Sequence, residues 1–111
     1  VDISDKFPTE IRRYLPHGFK DEVGVWFVLP LNDIDPDRCG VITLNKWLRE
    51  QEWYPAKFES ILWFGDDGVG NLLGWVPEKS SAILWNPADG CEYWYSGEIA
   101  AVWAFIRNNY E

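Results

Sequence analysis

The 111-residue chain has one histidine, two cysteines and no methionine, and its 10 basic side chains are outnumbered by 18 acidic ones. Each shortage narrows what the chain can do. His17, the sole histidine, follows a proline and precedes a glycine, with no evident acidic or nucleophilic partner in sequence, so it reads as a surface residue and not a catalyst. Cys39 and Cys91 are too few and too widely spaced for a zinc signature or a disulfide framework. Free buried thiols in a reducing cytoplasm are the expectation, and a single bridge is the alternative. A formal net charge of −8 repels phosphates, which argues against a nucleic-acid partner and permits a basic protein partner. No run of about 18 apolar residues occurs, so no membrane span is expected. There is no Gly-x-Ser-x-Gly elbow, no phosphate loop, no internal repeat and no low-complexity segment.

Aromatic residues, in contrast, are abundant at 17% with eight tryptophans. Most are expected to fill the core of one small domain, and some to stand at a binding surface. The organising stretch is residues 61–85. Two apolar runs, residues 61–64 and 72–76, flank the polar, glycine-rich residues 65–71 and read as a β-hairpin whose glycines serve the turn. Both runs are apolar at nearly every position, which predicts a sheet covered on both faces. Further strands are expected at residues 82–85 and 91–95, separated by turn clusters, to give an antiparallel meander.

Before this stretch, Phe7, Ile11, Tyr14 and Leu15 recur at helical spacing, with Pro8 at the first helical position and Pro16 and Gly18 ending the pattern. Residues 24–30 read as a strand stopped by Pro30. Asp33, Asp35 and Asp37 imitate the start of a calcium loop, but its sixth position would be Arg38 and its twelfth Leu44, so an acidic loop with Asx-type turns is the better reading. Residues 40–43 suit a very short strand or the lead-in to a helix whose sheet-facing side carries Leu44, Trp47, Leu48 and Gln51. A C-terminal helix is expected from the Ser96 cap through Ile99, Val102, Trp103, Ile106 and Tyr110. The fold class is α+β: an antiparallel sheet of about five strands packed by N-terminal, middle and C-terminal helices.

Asp66-Asp67 is the obvious carboxylate pair for catalysis. Sequence neighbours rarely converge on one substrate bond, and a solvated turn lacks the burial that raises a carboxyl pKa, so no enzyme, cofactor or metal is expected. Residues 7–15 with Gly18, residues 27–34, the hairpin of residues 61–71 and the segment ending Trp103-Ala104-Phe105-Ile106 together resemble the SUKH superfamily of Smi/Knr-like domains. The resemblance covers most of residues 1–111 as a single domain. The short first helix, the missing asparagine before Gly18 and Ile11 in place of an aromatic depart from the family pattern, and leave open whether part of the N-terminal region is missing or replaced.

The resemblance implies a cytoplasmic α+β domain without catalytic residues, in bacteria mostly an immunity protein that neutralises a polymorphic toxin, often a nuclease. An acidic face would speed its encounter with a basic toxin. The partner-binding candidates are Asp33, Asp35 and Asp37 in the acidic loop, Asp66 and Asp67 in the hairpin turn, and Glu92 and Trp94 on the last strand. A carbohydrate-binding or cell-wall-related module is the rival reading. A planar row of exposed tryptophans would favour sugar, and an acidic patch with buried tryptophans a protein partner.

Overall fold

The computed structural model describes residues 3–20, 26–33, 39–66 and 70–96. After a 3-10 turn at Ile3–Lys6 come α1 (Thr9–Arg12), β1 (Phe19–Lys20), β2 (Trp26–Val28) and α2 (Val41–Arg49), followed by a second 3-10 turn at Ala56–Phe58. Then β3 (Leu62–Asp66), β4 (Leu72–Val76), β5 (Ser81–Trp85) and β6 (Glu92–Ser96) form the expected antiparallel meander, in the order β3-β4-β5-β6. The architecture is α+β with antiparallel sheets.

The single sheet of about five strands is corrected to a four-stranded sheet and a separate two-stranded one made by β1 and β2. A register shift between Trp63 and Gly65 marks a bulge in β3, and β2 meets β3 there by backbone approach instead of a regular ladder. Leu29 N–H donates to the Phe64 carbonyl at 2.7 Å. A Cβ on Gly65 would lie 1.9 Å from the Phe27 carbonyl oxygen. Gly65 is therefore a strand residue that lets two backbones touch, and its expected turn role is corrected. Gly70, with φ of +98°, does serve the turn.

Both faces of the four-stranded sheet are covered, as the apolar runs predict. On one face Phe64, Leu73, Trp75, Ala82 and Leu84 pack with Phe7, Ile11, Leu15, Val28, Leu29 and Val41. On the other, Trp63, Val76, Ile83 and Trp85 pack with Leu48, Phe58 and Ile61. Each large apolar side chain fully buried this way contributes about 1.5–3 kcal/mol relative to exposure. Leu44 packs against both clusters, so α2 lies along the β3 edge and joins the two faces.

The N-terminal segment buries Phe7, Ile11 and Leu15 at the expected spacing, but its α-helix is only four residues long. Pro8 is its N-cap, extended at ψ 161°, so the first helical residue is Thr9 instead of Pro8. Gly18, at φ +78°, donates its N–H to the Tyr14 carbonyl and turns the chain into β1.

The buried face of α2 also differs from expectation. It carries Val41, Asn45 and Leu48, while Trp47 points outward. Asn45 decides this phase: its Nδ2 donates to the Trp63 carbonyl and its Oδ1 accepts the Trp63 N–H, both at 2.8 Å. One side-chain amide thus replaces a neighbouring strand at the β3 edge, and satisfies backbone groups that would otherwise be buried unpaired. Arg49 continues the seal by donating to the Glu59 and Ile61 carbonyls at 2.9 and 2.6 Å. The C-terminal helix expected over residues 96–110 lies outside the described residues, apart from Ser96, which ends β6.

Candidate functional site

Of the seven residues singled out in the sequence, Asp33, Asp66 and Glu92 have described side chains, and each occupies a different structural setting. Asp33 Oδ1 accepts the Gly40 N–H at 2.8 Å. That backbone bond first, and the Thr43 hydroxyl second, hold its carboxyl below the usual aspartate range. A carboxylate there suits the positive end of α2, so Asp33 ties the acidic loop to the helix start. Asp66 is the last residue of β3, paired with Leu72, which corrects its placement in the turn. Glu92 bridges to Lys57.

The register places Asp66, Leu72, Trp85 and Glu92 in one row across the sheet. Asp66 and Glu92 stand at its two ends, about 14 Å apart at ~4.8 Å per strand. They share no cleft. The backbone of Trp94 pairs with Ile83. Its side chain, with Asp35, Asp37 and Asp67, lies outside the described residues.

A site that sequence reasoning missed lies beside this row. Leu44, Trp47 and Leu48 of α2 form one wall of an apolar groove of about 450 Å³, and Trp53 stands at the end of that wall. Gly70 ahead of β4 and Leu72 at its start, with Pro87 and Ala88 from the β5–β6 turn, complete the lining. Trp47 and Trp53 are each 51% exposed and meet edge to face, with ring centroids 5.9 Å apart at 67°.

Local chemistry builds each wall. The α2 terminus folds back through Glu50 N–H to the Trp47 carbonyl and Gln51 N–H to the Leu48 carbonyl, and Gln51 Nε2 also reaches the Trp47 carbonyl at 3.0 Å. Tyr54 then anchors the turn by accepting the Trp63 indole N–H at 2.8 Å and donating to the Phe58 carbonyl at 2.9 Å. Burial first pushes the Tyr54 phenol up from its ordinary value, which keeps it a neutral donor. In the β5–β6 turn, Asn86 Oδ1 accepts the Ala88 N–H at 2.8 Å in an Asx turn, and Gly90 at φ +80° closes it. Pro87 and Ala88 are thereby held at the groove.

The lining side chains are apolar apart from the indole N–H groups of Trp47 and Trp53, and charged residues of both signs stand next to them. Glu52 precedes Trp53, Asp89 follows Ala88, and Asp66 pairs with Leu72; Lys46, before Trp47, is a basic neighbour. The nearby Arg49 guanidinium is committed to backbone carbonyls and to Asn45. Asp89 accepts the Cys91 N–H and, by hydrogen bonding and charge, raises the Cys91 thiol pKa. Partial desolvation and then the Asp33 charge do the same for Cys39. Both cysteines are free and exposed, which corrects the expectation of buried thiols: each lies in a loop outside the two cores.

Among the described residues no three His, Cys, Asp or Glu side chains come together to hold a metal. No described helix is long and apolar enough to cross a membrane. Comparison with family models, curated proteins and solved structures finds no match for the chain.

Proposed function

We propose that the chain is a non-catalytic, cytoplasmic protein-binding domain of SUKH type, an immunity protein that neutralises a basic toxin through an acidic surface, with no nucleic-acid or membrane partner. The observation that carries this reading is a net charge of −8 on a small α+β domain whose described acidic candidates are spread over separate elements instead of converging in a cleft. General acid–base chemistry needs a converged pair with shifted pKa values, and binding by steering does not. The carboxyl of Asp33 stays ionised well into the acid range, which keeps that part of the surface negative.

The two exposed tryptophans favour the rival carbohydrate reading on residue type. Their 67° angle gives no flat platform for a sugar ring, and the groove lining offers sugar hydroxyls no side-chain acceptor. A pull-down from native lysate, washed at low and high salt, separates the two. The proposal expects one basic protein that is lost as salt rises. Absence of any protein partner, with retention on a polysaccharide column, overturns it.

A further inference from the structure

We infer that the Trp47–Trp53 groove is the anchor site for a segment of a basic protein, one that inserts a large apolar side chain flanked by lysine or arginine. The inference rests on the proposed protein-binding function and deepens it by naming where the partner is gripped and what it presents. The groove lining is mostly apolar, and an apolar side chain that displaces water from it gains that water's release. Aromatic side chains at a surface, two of them in contact and half exposed, are the residue type that dominates binding energy at protein interfaces.

Charge selects the occupant. Glu52, Asp89 and Asp66 adjoin the lining, with Lys46 and Arg49 as the basic neighbours, and the Arg49 guanidinium is taken up by the Glu59 and Ile61 carbonyls; the chain as a whole carries a net charge of −8. Flanking lysine or arginine meets these carboxylates and can also lie over the exposed indole faces. A second copy of this chain would bring a second −8 to the same surface and is opposed by that field. A sugar would find no side-chain acceptor for its hydroxyl donors in the groove lining, where the indole N–H groups only donate.

A random peptide library displayed on phage and panned against the whole chain, counter-selected with the Trp47→Ala/Trp53→Ala variant, tests this. Both tryptophans are surface residues, so the variant should keep its fold, which circular dichroism checks. The expected result is enrichment of peptides with an apolar centre between basic residues. Their affinity should fall at least tenfold in the double variant and several-fold in Glu52→Lys/Asp89→Lys. Basic peptides that bind the parent and the tryptophan variant equally would overturn the groove assignment while leaving the acidic-surface function standing. Failure of every basic peptide and basic protein to bind would overturn that function as well. Groove-dependent dimerisation in sedimentation, or polysaccharide retention lost in the tryptophan variant, would assign the groove to a different occupant and overturn the inference.

Discussion

Two pairs of tryptophans beside the same helix meet opposite fates. Trp63 and Trp85 are buried, 5.1 Å apart between centroids, in a cluster with Tyr54 and Phe58, and the Trp63 indole N–H has the Tyr54 hydroxyl as its acceptor. Trp47 and Trp53 remain half exposed against each other. An indole is buried cheaply only where its edge meets other rings and its N–H finds an acceptor; the turn of Tyr54 supplies both to Trp63, and its ring meets Trp85 edge to face. The outer pair leaves apolar surface in water, which costs stability and is useful for recognition.

Substitutions should separate the two regions sharply. Trp63→Ala should destabilise the domain by about 3–5 kcal/mol in urea unfolding, since it empties a fully buried site and strips Tyr54 of its indole donor. Asn45→Ala should cost about 2–4 kcal/mol by the same assay, because the N–H and C=O of Trp63 both lose their partner where water does not replace it. Tyr54→Phe keeps the ring and removes the hydroxyl, so about 1–2 kcal/mol is expected, with the fluorescence of the inner cluster altered.

Acid unfolding gives a fourth comparison. The folded-state pKa of Asp33 is depressed, so its stabilisation of the α2 start is present above the unfolded value of ~3.9 and is lost as pH falls through the folded value. Asp33→Asn should therefore lower stability at neutral pH and leave the gap to the parent narrowing in that acid window. Trp47→Ala and Trp53→Ala, at the small end, should each change stability by no more than about 0.5 kcal/mol.

Much of the sheet was legible in the sequence because β3, β4 and β5 are continuous apolar runs bounded by glycine, proline and asparagine. The helix face was not. Asn45 looks like a solvent-facing residue and Trp47 like a core one, and only the exposed edge of β3, distant in sequence, reverses them. The separate β1–β2 sheet was equally hidden, since a pairing of two residues with three carries no composition signal and Gly65 betrays its contact with Phe27 only in three dimensions.

The candidate site was half visible. The acidic excess is plain in the composition, but which carboxylates already serve the fold depends on partners such as Gly40 for Asp33 and Lys57 for Glu92. The groove escaped notice because its walls come from α2, β4 and the β5–β6 turn. The available signal was Trp47 and Trp53 on either side of Glu50-Gln51-Glu52, an acidic stretch that a core segment would not contain.

The most direct measurement is a nuclear magnetic resonance titration of the indole N–H signals with a basic, apolar-centred peptide selected on the whole chain. Shifts confined to Trp47 and Trp53, weakening as salt is raised and leaving Trp63 and Trp85 in place, are the predicted result. A peptide that binds without moving the Trp47 and Trp53 signals would contradict the division into a structural and a recognising pair.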